Sequence, residues 1–181
     1  MCARGFTLLE VLVALLVLAI GVVGGTAMQL AALRTRHESA LLSQATQMAA
    51  GLAERMRANP LPGVANPYLS LNYDALAEPD PVPPQPLCYA PGAGCGGAEL
   101  ALFDLYEMEV LVRDRLPAGR ALVCRDSGVW QGGQLRWACS GGADAPLVIK
   151  VGWRGKNVDG TPQRDESGQY MPGVAIVVGS L

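Results

Sequence analysis

From Val11 to Leu33 the sequence carries no charged side chain, and a single carboxylate, Glu10, stands directly ahead of that stretch. A run of roughly 20 apolar residues suffices for one helix to cross the hydrocarbon core of a bilayer. The stretch therefore predicts a membrane-spanning helix, and it constrains everything that follows. Between Met1 and Leu33 the only charged side chains are Arg4 and Glu10, whereas from Arg34 onward charges come at ordinary density. The chain reads as an apolar head and a soluble body, and its 181 residues suit one compact domain of about 150 residues plus an appendage. A cleavable secretory signal ends its apolar region after about 7–15 residues at a small-x-small site. Here the apolar region instead continues through Gly21, Gly24, Gly25 and Met28.

No proline falls between Phe6 and Ala58, so one long helix is expected there, roughly 80 Å in length at about 1.5 Å per residue. Gly21, Gly24, Gly25 and Gly51 are its weak points. Its second half turns amphipathic. Leu30, Leu33, Leu41, Ala45, Met48, Leu52 and Met56 follow helical spacing on one stripe, and Arg34, Arg36, Glu38, Gln47, Glu54, Arg55 and Arg57 occupy the other faces. The stripe predicts packing on a domain core. Pro60 and Pro62 end the helix.

Most of the chain's 13 prolines lie between residues 59 and 97, a stretch that ends in Gly92, Gly94, Gly96 and Gly97. It reads as a long loop that is neither helix nor central strand. Residues 99–116 predict a second helix with Leu102, Phe103, Tyr106 and Val110 on one face, ended by Leu116-Pro117-Ala118-Gly119. Strand patterns follow: Arg120–Arg125 alternating around Leu122 and Cys124, a hairpin at Gly132-Gly133 flanked by Val129-Trp130 and 135–140, Leu147–Trp153, and Gly173–Gly179. Helices followed by about four antiparallel strands predict an α+β domain, its helices packed on one sheet face.

The body holds Cys88, Cys95, Cys124 and Cys139, while Cys2 lies ahead of the apolar helix. An even set in an exported domain points to disulfides; in a reducing compartment the same residues would be buried thiols. Four cysteines permit three pairings, and Cys88–Cys95 with Cys124–Cys139 is preferred because both loops are short. The set lacks the close Cys-x-x-Cys pairs of zinc sites, so no metal is expected. Asn157, Asp159, Gly160, Asp165 and Glu166 form an acidic loop whose spacing departs from the EF-hand, and a solvated turn is the expectation. The lone His37 reads as an interfacial or packing residue. Trp130, Trp137 and Trp153 read as sheet and core residues. A net charge of −2 offers no basic footprint for nucleic acid. No catalytic constellation and no cofactor signature stands out.

An ionised carboxylate inside a bilayer costs on the order of 2.5–3.5 kcal/mol by insertion scales for comparable charges, so Glu10 needs a partner, and the span contains no basic side chain. A cut after Gly5 would give Phe6 a free amine, a positive charge at membrane depth. The alternative is that Glu10 complements the helix dipole in the first turn.

Gly5-Phe6-Thr7-Leu8-Leu9-Glu10 followed by an apolar helix resembles the class III signal of type IV pilins and type II secretion pseudopilins. The resemblance implies a pilin fold, removal of residues 1–5 by a prepilin peptidase between Gly5 and Phe6, and N-methylation of Phe6. Glu10 would then pair with the amine of an adjacent subunit. Residues 6–33 would lie in the inner membrane and later in the filament core, with residues 34–181 as the exported domain. The partners so implied are other major and minor pilins, the peptidase and the membrane. Arg55-Met56-Arg57-Ala58-Asn59-Pro60 closely resembles the end of the long helix in PilV-type minor pilins, and Leu116-Pro117-Ala118-Gly119 and Val151-Gly152-Trp153-Arg154 fit that group. A minor pseudopilin of a secretion system is the nearest alternative, and an enzyme on an uncleaved anchor the more distant one. Arg34 and Arg36 after the span outnumber Arg4 before it, contrary to a cytoplasmic N-terminus. Long domains export largely regardless of such counts, so the motif and the cysteines set the orientation.

Overall fold

The computed structural model describes residues 7–61, 66–157, 159–165 and 168–179. Gly5, Phe6, Pro62 and Glu166 lie outside them.

Helix α1 runs from Leu8 to Ala58. Thr7 caps it: its hydroxyl accepts the Glu10 N–H at 3.3 Å, which satisfies one of the free donors of the first turn. Threonine three residues before a glutamate, ahead of an apolar run, is the sequence sign of such a start. The chain divides into two compact units after Glu38. In the first, the large apolar side chains from Leu8 to Leu33 are exposed, and Thr26 hides its hydroxyl by donating to the Val23 carbonyl at 2.9 Å, a local bond that suits a threonine in lipid.

The second unit is built on an antiparallel sheet ordered β1-β2-β5-β6. Strand β1 spans Asn72–Asp74, β2 Arg120–Arg125, β5 Leu147–Gly152 and β6 Pro172–Gly179. Between β2 and β5 a separate two-stranded ribbon pairs β3, Trp130–Gln131, with β4, Gln134–Leu135. Its turn is Gly132-Gly133, with φ of 60° and 79°, the positive values that a tight hairpin needs at both central residues. The predicted second arm does not persist as strand past Leu135; residues 136–140 leave the ribbon to cover the main sheet.

The α+β architecture is the one the sequence predicts. From α1 the core takes Leu41, Ala45, Ala49, Leu52, Ala53 and Met56, and from α2, Gly97–Arg115, it takes Ala101, Leu105, Met108 and Val112. Across from them the sheet presents Ala121, Val123, Leu147, Ile149 and Val151. Two expected faces are corrected. On α2 the inward stripe is Ala101, Asp104, Leu105, Met108 and Val112, while Leu102 is exposed and Tyr106 and Val110 are half-buried. Asp104 lies on that stripe, so polarity alone assigns it to the wrong side. Phe103 is buried against Tyr89, their ring centroids 5.4 Å apart. On β2 the inward residues are Ala121 and Val123, and Leu122 and Cys124 lie half-buried on the opposite face. That face is covered as well, so both sets are largely apolar and alternation cannot rank them.

The proline-rich stretch contains two elements that its composition conceals. Asn66 caps a 3-10 turn at Pro67–Ser70, accepting the Tyr68 N–H at 3.0 Å. Strand β1 then pairs with β2 at the sheet edge, a position that tolerates a short strand beside proline-rich sequence. The turn after α2 needs Gly119, where an added Cβ would lie 2.5 Å from the Val112 carbonyl oxygen.

Candidate functional site

The candidate assembly element is the N-terminal part of α1. Leu8, Leu9, Leu12, Leu15, Leu16, Val17, Leu18 and Ile20 are all at least half exposed. A continuous apolar surface of this kind marks a site for lipid or protein partners, and α1 is long and apolar enough to cross a membrane. Glu10 lies in the first turn with its side chain exposed. There its charge complements the helix dipole and stays available to a partner cation. The processing residues Gly5 and Phe6 lie outside the described residues, so the structure does not bring them together with Glu10.

The Arg55–Pro60 segment is the junction that fixes α1 to the rest of its unit. Arg55 Nη1 donates to Asp104 Oδ1 at 3.0 Å and also pairs with Glu107, both on α2. Asp104 Oδ2 accepts the Tyr68 hydroxyl at 2.7 Å. Burial first, and then this bond to a carboxylate, push the Tyr68 phenol up from its ordinary value, so Tyr68 remains a donor. Met56 is fully buried. Arg57 donates to the carbonyls of Val177 and Val178 on β6, both at 3.3 Å. Asn59 Nδ2 donates to the Gly97 carbonyl at 2.7 Å and to the Tyr68 hydroxyl at 3.3 Å. Arg55, Met56, Arg57 and Asn59 thus reach α2, the core, β6 and the start of α2 in turn. Tyr68 and Asp104 were not singled out in the sequence; an aspartate on an otherwise apolar stripe was the available signal.

Cys88 is joined to Cys95, Cα to Cα 5.7 Å, directly before α2. Cys124 is joined to Cys139 at 6.4 Å. The second disulfide ties the covering segment to β2, and a buried ion pair lies beside it. Lys150 Nζ on β5 donates to Asp126 Oδ2 at 2.6 Å and to the Ala138 carbonyl at 2.8 Å, with both side chains almost wholly enclosed. Burial alone would raise the Asp126 carboxyl. The bond from Lys150, with those from the Gly128 and Ser140 N–H groups, outweighs it and holds the carboxyl down at about 2.

The acidic loop spends its groups internally. Asp159 accepts both the N–H and the hydroxyl of Thr161, at 2.8 and 2.6 Å, and Asp165 accepts the Gln169 N–H at 2.8 Å. Among the described residues no three acidic, histidine or cysteine side chains are grouped to hold a metal. His37 is exposed. Trp153 is buried as expected, Trp137 is half-buried, and Trp130 lies in a strand as expected, that of the ribbon, but with its side chain exposed and so outside the core; two-residue strands leave it nothing to pack under.

Two family models match the chain, the prokaryotic N-terminal methylation motif over residues 1–26 and Type IV pilin Tt1218 over residues 27–106. The chain belongs to the type IV pilin family. Together the matches extend from the N-terminus through α1, the proline-rich stretch and the first half of α2. No curated protein and no solved structure matches the chain. Family membership makes this pilin a structural subunit that assembles with other pilins and is processed by a prepilin peptidase. The exposed apolar helix is accordingly a membrane anchor that passes into a filament.

Proposed function

We propose that this pilin is a PilV-like minor subunit, which helps to start a type IV pilus or modifies its surface. In this reading residues 1–5 are the leader, cleavage falls between Gly5 and Phe6, and the new amine of Phe6 is methylated. Residues 6–33 hold the subunit in the inner membrane, N-terminus in the cytoplasm, and then pack in the filament core, while residues 34–181 face outward. The observation that carries it is the exposed apolar stretch of α1, headed by an exposed Glu10, inside the methylation-motif match. In the membrane lipid already covers that surface, so close packing between the helices and the charge of Glu10 draw subunits together, and in the filament core the packed helices keep one another out of water. A lone carboxylate among apolar helices is stable only with a cation beside it, so Glu10 sets the register of each incoming subunit against a neighbour's amine. What favours the PilV-like assignment is the resemblance of Arg55-Met56-Arg57-Ala58-Asn59-Pro60 to the end of the long helix in that group; here the same segment anchors α1 to α2 and β6.

Intact mass and N-terminal sequencing of the membrane-extracted protein, with and without a prepilin peptidase, test the processing. The expected product begins at Phe6 and is one methyl heavier; a chain still beginning at Met1 beside an active peptidase overturns the reading. Glu10→Ala is expected to leave the membrane pool unchanged and to abolish recovery in sheared filaments. Deletion of the gene is expected to reduce piliation, and a secretion defect with normal piliation would identify a pseudopilin.

A further inference from the structure

The sheet face turned away from the helices carries, near its β1 edge, a cavity of about 320 Å³ that the assembly reading does not use. Its walls bring together Asp74, Arg120, Trp137, Arg154, Arg164 and Tyr170. Three guanidiniums and one carboxylate make the wall cationic, in a chain whose net charge is −2. The guanidiniums rest on rings. Arg120 lies 4.4 Å from the Trp137 ring centroid, and Arg154 and Arg164 lie 5.3 and 4.8 Å from that of Tyr170. None of the three is in an ion pair among the described residues. Arg120 is the cross-strand partner of Asp74, yet its guanidinium stacks on Trp137 and, among the described residues, hydrogen-bonds the Asn72 amide oxygen at 3.5 Å. Among the described residues its buried Nε–H has no acceptor, a condition that folded proteins seldom leave without a purpose.

Trp137 is held where it is. Its indole N–H donates to the Tyr170 carbonyl at 2.6 Å, and it lies over Gly152, where a Cβ would come within 2.9 Å of the ring. Lys150, which grips the Trp137 and Ala138 carbonyls from below, and the Cys124–Cys139 disulfide fix the same segment. Stacking on a fixed ring holds the Arg120 fork in one place until a carboxylate competes for it.

We propose that this cavity binds a uronic acid residue of an acidic polysaccharide. The chemistry selects that class. Three guanidiniums call for an anion, and a planar carboxylate meets an arginine fork side by side. Asp74 accepts the Leu76 N–H at 3.0 Å and, as a carboxylate, only accepts hydrogen bonds, so it favours a ligand that brings hydroxyls beside its own acid group. The aromatic walls suit the C–H face of a sugar ring, and the volume lies at the small end of ligand pockets, room for one ring. A turn of Arg120 off the Trp137 face would bring its Nε–H and Nη–H edge to the ligand carboxylate and give the unused donor an acceptor. The site lies outside the processing and assembly residues and does not depend on which filament the subunit joins.

The test uses the full chain in detergent micelles, titrated with galacturonate, galactose and inorganic phosphate, with tryptophan fluorescence and the arginine Nε–H resonances as readouts. Galacturonate is expected to saturate and to shift the Arg120 Nε–H resonance, with galactose at least roughly tenfold weaker because the charged hydrogen bonds are lost. Arg154 is exposed, so Arg154→Gln is expected to keep the melting temperature and to weaken galacturonate by about tenfold. Equal binding of galactose, saturation by phosphate in place of galacturonate, or no saturable binding overturns the proposal. Should Arg154→Gln fail to fold, the Arg120 resonance of the unaltered protein decides alone: no shift at saturating galacturonate overturns it.

Discussion

The two faces of the sheet are held by different physics. Toward the helices, Ala121, Val123, Leu147, Ile149 and Val151 meet apolar residues of α1 and α2. Burial there is non-directional and its strength follows area. On the opposite face the cover is the irregular segment between β2 and β5, fixed by the Lys150–Asp126 pair, the Cys124–Cys139 disulfide and Trp137 over Gly152. An irregular segment has no repeating apolar stripe to lay down, so a few directional or covalent ties must hold it. Such ties concentrate stability in single residues, whereas the helical face spreads it over many.

The sharpest way to break this contrast is Lys150→Ala, which leaves Asp126 enclosed and unpaired. Loss of a buried partner costs about 3–5 kcal/mol, expected as a lower melting temperature and a covering segment newly open to protease. Replacing both partners by well-packed apolar residues is often neutral, so Lys150→Met with Asp126→Leu is expected to recover most of the loss. On the helical face, Ile149→Ala is expected to cost about 2–5 kcal/mol, but with protease cleavage appearing only on global unfolding. Similar cleavage patterns in the two variants would erase the distinction between the faces. Cys124→Ser with Cys139→Ser removes a tie with a sequence separation of 15, worth about 3 kcal/mol on the chain-entropy account, read as a shift in the denaturant midpoint.

Acid gives the smallest expected effect. The folded carboxyl of Asp126 titrates at about 2, below its ordinary value of 3.8. The stability it contributes is therefore complete above about pH 4 and is lost as pH falls toward 2, on the order of 2 kcal/mol. Proton uptake by Asp126 during acid titration, followed by carboxyl resonances, checks the window. The Lys150→Met, Asp126→Leu pair is expected to flatten the acid limb.

Much of this protein was legible because its signals are local. The absence of charge from Val11 to Leu33, the absence of proline from Phe6 to Ala58, Gly132-Gly133, and the runs at 120–125 and 147–152 each state an element within their own few residues. Apolar periodicity and turn chemistry act over that range. The Thr7–Glu10 cap is equally local, a threonine three residues ahead of a glutamate.

Other features depended on what lies across the fold. Asp104 belongs to the buried stripe of α2 only because Arg55 and Tyr68 reach it from distant segments. Lys150 can occupy a central strand only because Asp126 and the Ala138 carbonyl meet its ammonium. The inward side of β2 depends on what covers each face, and β1 exists as a strand only because β2 offers it an edge. Sequence alone determined the long helix, the α+β class and the motif that heads the chain, since these need only neighbouring residues. Tertiary structure decided which polar groups are buried, because a charge enters a core only when the fold brings a partner to it.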